Sequence, residues 1–292
     1  MNEMPKPSIF LHPGFDRLSR RLDSLLNVFS TYAVPIFIGL VSLLALVAWD
    51  TQYPVAEPQK LQIQVASGSA DILAPRQALA QLRDRPIASF HDTHLSELPV
   101  WLLFVVPKEN EPRPLMIEFP SRNAMDIACW DAKTLNPLGG GNRQGTVGDI
   151  SAVKAGFALE LGSPAIQGSQ VLCRTSSIGP ARLSVLKWQA ADFKMATAEF
   201  HRKSGLLDGG IIVLAIFVLV TALINRSGLY LLFAAWLVLN LRMGARSAGW
   251  DTQWLGLAIP EDWLMPGRAI TLTLYYVLTV TLFRELFRDD LT

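Results

Sequence analysis

The sequence is poor in the residues that build catalytic and metal-binding sites. It contains two cysteines and four histidines among 292 residues, with no CxxC pair and no Cys/His cluster, so we expect no bound metal. Neither a G-x-S-x-G nor an H-E-x-x-H motif is present, and no Lys-Ser/Thr pair follows the glycines at 139–141 to complete a P-loop. We therefore expect this chain to carry no enzyme active site and no cofactor.

Charged residues are also scarce. Only 17% of the residues are charged, and the formal net charge is +1. The sequence shows no basic stripe interleaved with aromatic residues, so we expect no nucleic-acid partner. Half of the residues are hydrophobic and the mean hydropathy is +0.29. This composition is typical of a membrane protein, so we expect membrane lipid to be a partner.

The sequence is rich instead in long apolar runs with few charged residues. The clearest spans residues 206–224 and carries no charge other than Asp208. As a helix it would be about 28 Å long, enough to cross the hydrocarbon core of a bilayer. Similar runs predict further transmembrane helices over residues 31–49, 228–245 and 264–287.

Arginines around the first run predict the topology. Arg17, Arg20 and Arg21 precede it and few cations follow it, which places residues 1–30 in the cytoplasm. A cleaved signal peptide is the alternative interpretation of this run. Four crossings of a bacterial inner membrane would leave both termini in the cytoplasm. Residues 50–205 would then be periplasmic, with a periplasmic loop over 246–263 and a cytoplasmic tail over 288–292.

The stretch from residue 50 to 190 has the character of a soluble β domain. Short alternating segments are separated by clusters of Pro, Gly, Asn and Ser, a pattern typical of an antiparallel β-sandwich or jelly roll. The continuous apolar run Val100–Val106 predicts a strand covered on both faces. Residues 191–205 predict a short connecting helix that leads into the run at 206–224.

Both cysteines fall within this central stretch. If the stretch is exported, Cys129 and Cys173 could form a disulfide. Both also occupy apolar alternating positions, where free buried cysteines are equally common. The sequence leaves the two alternatives open.

The order of these parts resembles a known receptor family. An opening strand contains Val100-Trp101, and a later strand contains Leu172-Cys173-Arg174. The first helix after the sandwich is preceded by Gly205 to Gly210, and the next helix begins with Tyr230-Leu231-Leu232. Over residues 60 to 290 this is similar to the bacterial seven-transmembrane receptors with diverse intracellular signalling modules, those with the second type of extracellular domain. Cys173 departs from the aromatic residue of the family pattern.

The resemblance implies a jelly-roll sensor domain, similar to carbohydrate-binding modules, in front of membrane helices. The family has seven helices after the sensor domain, whereas three are predicted here, and no GGDEF, EAL, kinase or phosphatase motif follows them. We therefore expect a member truncated after the third helix. Its output would come from a cytoplasmic partner such as a diguanylate cyclase or a kinase, and we expect a homodimer.

Five residues are candidates for binding a ligand in the sandwich. Trp130 could stack on a sugar ring while Asp131 accepts hydroxyl hydrogen bonds. Asn142 and Arg143 follow the glycine run and could rim a pocket, because sandwich loops cluster at the ends of the fold. Arg174 could bind an anion. The structural alternatives are a tryptophan that caps the core, a flexible strand connection and an ion pair.

Two other clusters have more ordinary interpretations. His91 and His94, with Asp92 and Glu97, lack the spacing of a helix-borne metal site and predict a solvated loop. Glu118 and Asp126 predict solvent-facing carboxylates rather than a glycosidase pair.

Polar residues within the apolar runs are candidates for a membrane relay. Asp208, Asn240, Arg242 and Arg246 lie in or beside predicted transmembrane helices. Ionised groups inside a bilayer are paired or functional. Snorkelling of Arg242 to the interface is the alternative interpretation.

Two functions fit these observations. The first is the sensory and transmembrane portion of an inner-membrane signalling receptor, which binds a small ligand or a periplasmic protein outside. The second is a non-signalling envelope accessory subunit for assembly or polysaccharide export, in which the sandwich binds a protein partner.

Overall fold

A computed structural model describes residues 33, 36–37, 39–44, 47, 56–67, 73–108, 114–162, 168–250, 252–254 and 257–288. The chain divides into two compact units, Met1–Val55 and Ala56–Thr292. In the first unit, residues 36, 37, 39–44 and 47 are helical. The predicted cytoplasmic segment 1–30 and nine of the nineteen residues of the predicted run 31–49 lie outside the described residues, so a membrane anchor and a signal peptide both remain predictions.

The second unit begins with two antiparallel sheets. The strands of the smaller sheet are β1 (Gln59–Leu61), β6 (Leu115–Phe119), β10 (Ile150–Val153), β11 (Gly156–Leu161) and β14 (Val185–Gln189). They pair in the order β1-β14-β6-β11-β10. The strands of this sheet that come first and last in the sequence, β1 and β14, are therefore neighbours, with Gln59 opposite Lys187.

The larger sheet has seven strands. They are β2 (Ile63–Ser67), β3 (Ile87–Ala88), β5 (Val100–Val105), β7 (Ala124–Asp131), β8 (Pro137–Asn142), β9 (Thr146–Gly148) and β12 (Gln170–Ser177). Their order is β3-β2-β5-β12-β7-β8-β9, and all pairs are antiparallel. A short separate pair, β4 (His91–Asp92) with β13 (Arg182–Leu183), flanks them.

One buried cluster takes side chains from both sheets. Ile117 and Leu159 come from the smaller sheet, and Leu102, Phe104 and Ile127 come from the larger one. Alternate residues of a strand point to opposite faces, so the intervening residues of β5 face the other way. Trp101 and Leu103 pack there against a second cluster. The prediction that Val100–Val106 contains a strand buried on both faces is confirmed.

The second cluster is completed by helix α1 (Pro75–Leu82). Its buried residues Ala78, Leu79 and Leu82 cover the outer face of the larger sheet. Pro75 sits in the first turn, where its missing N–H leaves no hydrogen bond unmade. The apolar i, i+1, i+4 spacing of the three buried residues gives the helix one buried face.

Helix α2 (Ala190–Asn225) runs for 36 residues without interruption. The predicted connecting helix 191–205 is therefore not a separate element, because no break divides it from the apolar run 206–224. Gly205, Gly209 and Gly210 lie inside the helix with open space around them. Arg226 ends it in the left-handed conformation, with its N–H bonded to the carbonyl of Ala222.

Two more apolar helices follow, α3 (Gly228–Ser247) and α4 (Leu264–Leu286). Together with α2 they are long and apolar enough to cross a membrane. Val218 of α2 packs on Ala234 and Leu237 of α3. The indole N–H of Trp236 donates to Thr279 Oγ1 of α4 at 3.0 Å.

The predicted loop 246–263 has structure of its own. It contains the last turn of α3, the strand pair β15 (Gln253–Trp254) with β16 (Leu257–Ala258), and a short 3-10 helix over Glu261–Trp263. Arg288 is the only residue of the predicted tail 288–292 that the structure describes.

Candidate functional site

The five predicted ligand-binding residues do not form one site. Asp131 lies at the end of β7 that faces Val171, while Asn142 lies opposite Asp126 near the other end of the same strand. Arg174 lies between them on β12, opposite Trp101 and Ala128. The structure therefore distributes the five side chains along the larger sheet instead of bringing them together.

Trp130 belongs to the second buried cluster. Its ring lies 5.5 Å from that of Trp101, and it packs against the group that α1 covers. Asp131, the next residue of the strand, points to the opposite face. A ring and a carboxylate on opposite faces cannot hold the same sugar, so this pair does not make the predicted site.

The carboxylate of Asp131 instead orders a turn. It accepts a 2.6 Å hydrogen bond from Thr134 Oγ1 and a 3.2 Å bond from the backbone N–H of Lys133. These donors, the Thr134 hydroxyl first, favour the ionised form and hold the pKa of Asp131 below its usual value. The turn residue Leu135 has a positive φ of 58°, which explains why the turn needs this additional support.

Asn142 and Arg143 stabilise loops. Asn142 Oδ1 accepts from the backbone N–H groups of Gln144 and Gly145 at 2.9 and 3.1 Å, which is the hydrogen bonding of an Asx turn. The guanidinium of Arg143 donates to a set of backbone carbonyls and lies 5.2 Å from the centre of the Phe157 ring. The carbonyls belong to Ser121, Arg122, Ala124 and Ala155.

The two cysteines are bonded to each other. Cys129 on β7 and Cys173 on β12 are direct cross-strand neighbours, with Cα atoms 4.1 Å apart, and both are fully buried in the cluster between the sheets. Of the two alternatives that the sequence leaves open, the structure has the disulfide.

The structure does not bring the four predicted relay residues together: Asp208 lies where α2 meets α3, whereas Arg246 lines a cavity between α3, α4 and loops of the sheets. Asp208 Oδ1 lies 3.6 Å from the position that a Cβ on Gly244 would occupy, so the small residue lets the carboxylate approach. Arg242 is buried, and its guanidinium lies 5.7 Å from the centre of the Trp254 ring. Asn240 donates to the carbonyl of Trp236 within its own helix at 2.8 Å, so its amide does not reach towards Asp208.

A buried ion pair within the smaller sheet also contacts the first turn of α2. Lys154 Nζ lies 3.1 Å from Glu118 Oε1, and the other carboxylate oxygen accepts a 2.6 Å hydrogen bond from the indole N–H of Trp188. The ammonium is also 4.6 Å from the centre of the Trp188 ring and 4.9 Å from that of Phe193, in the first turn of α2. We name Glu118, Lys154, Trp188 and Phe193 the helix joint.

Burial makes the helix joint a rigid contact. Only 5% of the Glu118 side chain and 12% of the Lys154 side chain are exposed. A buried carboxylate with two partners cannot move away from either without leaving an unmatched charge. The prediction that Glu118 faces solvent is wrong, because its carboxylate is buried beside Lys154, and nothing in the sequence pairs these two residues.

Lys154 also lies at the contact between the sheets and the end of α3. It occupies the turn between β10 and β11 with φ of 48°. A Cβ on Gly249 would lie 2.7 Å from Ala155 Cα and 3.0 Å from the Lys154 carbonyl oxygen. Gly249 itself has φ of 80°, so only glycine fits at this approach.

A groove on the sheets is lined by residues of β1, β2, β3, β5 and β12. It has a volume of about 380 Å³ and an apolar floor that includes Val105 and Ile87. Four amide side chains surround it, and we name it the glutamine groove: Gln59, Gln62, Gln64 and Gln170. Gln64 is held in place by donating to the carbonyl of Arg85 at 3.0 Å. Amides both donate and accept hydrogen bonds, as neutral polyhydroxyl ligands require.

The predicted solvated loop around His91 contains an ion pair rather than a metal cluster. Arg182 Nε donates to Asp92 Oδ1 at 3.0 Å, and this hydrogen bond lowers the pKa of Asp92. Partial burial and the neighbouring His94 lower the pKa of His91. Within the described part of the chain, no group of three or more His, Cys, Asp or Glu residues could hold a metal ion.

Comparison with known proteins adds no relative. No family model matches the chain, and no characterised protein matches it. The resemblance to the seven-transmembrane receptors therefore remains a prediction from sequence.

Proposed function

We propose that this chain is the sensory and transmembrane portion of a bacterial inner-membrane signalling receptor, with an exported β-sandwich. One observation carries the proposal. The last strand of the smaller sheet, β14, ends at Gln189, and α2 begins at Ala190 and continues for 36 residues into an apolar stretch of membrane length. At 1.5 Å per residue this is a rod of about 54 Å.

The rod is attached to the sheets at its first turns. Phe193 and Ala196 are buried against Trp188 and Ala158, and the helix joint fixes the same turns electrostatically. A displacement of β14 would therefore move α2 directly. Signal transfer requires that the ligand bind one of two arrangements of α2 more tightly than the other, because binding that is equal in both transmits nothing.

The glutamine groove is in the position to produce such a displacement. Gln59 lies on β1, and β1 is hydrogen-bonded to β14 with Gln59 opposite Lys187, two residues before the end of the strand. A small neutral polar ligand, for example a carbohydrate, would bind the amides of the groove. The ligand and the start of α2 would then be separated by one strand pair.

Two features support export of a sandwich. The side chains of both sheets share one buried cluster, which is the packing that a sandwich requires. The bond between Cys129 and Cys173 favours an oxidising compartment such as the periplasm. A cytoplasmic partner with an output domain, such as a diguanylate cyclase or a kinase, would complete the receptor, with the chain acting as a homodimer.

The test is a ligand screen on the full chain in detergent. Neutral sugars and related polyols are added, and the midpoint of thermal unfolding is measured for the wild type, for Gln59→Ala/Gln62→Ala and for the control Gln144→Ala on a distant loop. We expect a ligand that raises the midpoint of the wild type and the control but not of the groove variant. If a ligand raised the unfolding midpoint of all three proteins equally, the glutamine groove would not be its binding site.

One observation favours the second function, an envelope accessory subunit. Large apolar side chains are exposed on the β region at Ile87, Phe90, Leu95, Leu98 and Val105, and such patches mark protein-binding surfaces. A photo-crosslinking residue at Leu95 in the native membrane would distinguish the two functions. Attachment to export machinery supports the accessory subunit, whereas attachment to a cyclase or kinase complex supports the receptor.

A further inference from the structure

A cavity lies where the ends of the apolar helices meet the loops of the sheets. Its volume is about 420 Å³. The last turn of α3 and the first turns of α4 form one wall, and the loops at Arg122–Asn123 and Ile178–Pro180 form the other. We name it the arginine cavity after the cations that line it: Arg122, Arg246 and Arg268.

The lining of the cavity combines arginine side chains from both walls with apolar side chains from the helices. None of the residues that line it is acidic. Below the arginines its wall consists of Met243, Met265, Ala269 and Leu272. A ligand that fills this space must carry negative charge at one end and hydrocarbon at the other.

The arginines are held in position by the fold. The carbonyl of Arg122 accepts a hydrogen bond from Arg143, which also ties down the carbonyls of Ser121 and Ala124. Arg268 Nη2 lies 3.9 Å from Met125 Sδ on β7. Arg246 and Arg268 have additional partners within the chain. A guanidinium has five N–H donors, so one that is anchored by its own protein can still bind a phosphate.

In the membrane arrangement proposed above, the cavity would lie at the level of the outer headgroups. It lies beside the end of α3 at Ser247 and the start of α4 at Leu264. Trp250 and Trp263, both exposed, flank the same helix ends, and tryptophan is enriched at membrane interfaces. A lipid phosphate would reach the arginines while its acyl chains follow Leu272 along the outside of α4.

A second cavity extends the cationic end. It has a volume of about 370 Å³ and shares Arg122, Asn123, Pro180 and Ser247 with the first. Arg182 lies on its far wall, where it is paired with Asp92. The additional space allows a headgroup larger than the phosphate alone.

From this arrangement we infer that the arginine cavity binds the phosphate headgroup of an anionic lipid of the outer leaflet, and that Arg246 and Arg268 form the contacts to the phosphate. Arginine binds phosphate with parallel, charge-assisted hydrogen bonds. The inference depends on the membrane insertion proposed above but not on signalling. The bound lipid would join the sheets to α3 and α4, a second connection beside the helix joint.

The experiment uses the full chain in nanodiscs of phosphatidylcholine containing phosphatidylglycerol. Native mass spectrometry after release into detergent measures how much phosphatidylglycerol stays bound. We expect the wild type to retain it and Arg246→Gln/Arg268→Gln to retain about tenfold less. The control Arg226→Gln/Arg284→Gln removes the same charge at the opposite helix ends and should retain it like the wild type.

Two arms separate the possible results. Equal retention by the two double variants would overturn the inference, because bulk charge attraction would then explain binding. Inorganic phosphate at millimolar concentration is added in a parallel arm. Displacement of the lipid by phosphate alone would show a site for a soluble anion and would also overturn it.

Folding and insertion are checked independently. If Arg246→Gln/Arg268→Gln fails to fold, the single variants Arg246→Gln and Arg268→Gln replace it, with a severalfold loss of retention expected from each and unchanged retention in both counting against the inference. Extraction of membranes with carbonate shows whether the chain is inserted. Release by carbonate would refute the insertion on which both proposals depend, whereas a retained chain without bound lipid would refute the lipid site alone.

Discussion

Single side chains hold the sheets to the helices in this protein. Lys154 is the clearest case, because one ammonium contacts a strand carboxylate, a strand tryptophan and the first turn of α2. The side chain of Glu118, with which it pairs, is only 5% exposed. Removing either charge leaves the other buried in a poorly solvated position, which costs more than a surface ion pair contributes.

We expect Lys154→Met to destabilise the fold by about 3 kcal/mol, because the charge of Glu118 is then left buried with only the indole N–H as partner. Lys154→Met/Glu118→Gln should recover much of this loss, since no unmatched charge remains. Thermal unfolding of the full chain in detergent measures both. The exposed Lys133→Met is the control, and an equal loss in control and variant would show that the joint has no special role.

Gly249 gives a second prediction for a single residue. An added Cβ would lie 2.7 Å from Ala155 Cα in a backbone conformation that other residues avoid. We expect Gly249→Ala to lower the unfolding free energy by about 1–3 kcal/mol. Gly205→Ala, inside α2 with open space around it, should instead be neutral or stabilising by about 0.5–1 kcal/mol. Chemical denaturation in mixed micelles compares them, and equal effects would contradict the close approach.

The turn at Asp131 predicts a pH dependence. Its folded pKa is depressed by the Thr134 hydroxyl, so its stabilisation is complete above the unfolded pKa of about 3.9 and is lost as the pH falls through the folded pKa. The difference in stability between the wild type and Thr134→Val should therefore shrink as the pH is lowered below about 4. Unfolding curves from pH 7 downwards test this, and a constant difference would contradict the assignment.

At the scale of elements, α2 is the part on which the proposed mechanism depends. Its first turns are polar and packed on the smaller sheet, and its remainder is apolar with most side chains exposed. Helical backbone hydrogen bonds continue across the change in character, because none of Gly205, Gly209 and Gly210 adopts a positive φ. A continuous helix transmits rotation and translation, whereas a hinge at the glycines would absorb them.

Spin labels measure whether α2 is continuous in a bilayer. Met195 and Val213 are exposed and lie 18 residues apart, which is five turns on one helix face. We expect one narrow distance distribution centred at about 27 Å for the doubly labelled chain. The native cysteines do not react with the label because they are bonded to each other.

Ser204→Pro in the same labelled chain is the comparison, since proline kinks a helix interior. It should shift and broaden the distribution. A broad distribution in the chain without proline would mean that the two halves of α2 move independently, and direct coupling through the helix would then be wrong.

At the scale of the whole molecule, the orientation of the sheets relative to the membrane decides the function. A ligand sensor must have the glutamine groove outside the cell, and the output partner must lie inside. The disulfide reports on this orientation, because a cytoplasmic β region would keep both thiols reduced.

Alkylation under denaturing conditions tests the orientation. Cells are dissolved in sodium dodecyl sulphate with N-ethylmaleimide present, because both cysteines are buried in the folded chain, and the chain is analysed by mass with and without prior reduction. We expect Cys129 and Cys173 to be unmodified until a reductant is added. A reporter that works only in the cytoplasm should be active when it is fused at Asn225, because the predicted topology places this turn inside the cell. Alkylation of both cysteines without reductant would place the β region in the cytoplasm and reverse the predicted topology.

Part of the architecture was predictable because it depends on local patterns. A run such as 206–224 predicts an apolar helix from length and composition alone, and three such helices are found among the described residues. The run Val100–Val106 similarly predicts a strand buried on both faces. The bounds of α2 were not predictable, because the polar residues 191–205 show a weaker periodicity and the glycines at 205, 209 and 210 suggest a break.

The candidate sites were less predictable because they depend on strand register. Trp130 and Asp131 are adjacent in sequence, a feature that suggested one site, yet the pleat directs them to opposite faces. Glu118 and Lys154 are 36 positions apart (154 − 118) and meet only because β6, β11 and β10 are neighbours in the sheet. The glutamine groove likewise needs β1 and β12, which are distant in sequence.

By itself, the sequence determined which segments are apolar enough for a membrane and which alternate as strands, since hydrophobicity and periodicity are properties of neighbouring residues. The tertiary structure alone decided that the cysteines are joined, that α2 is one rod and that arginines from three distant segments line one cavity. Pairings of this kind follow from how the sheets are ordered and how the helix ends meet them, and the free energy that selects one order is spread over the whole buried core.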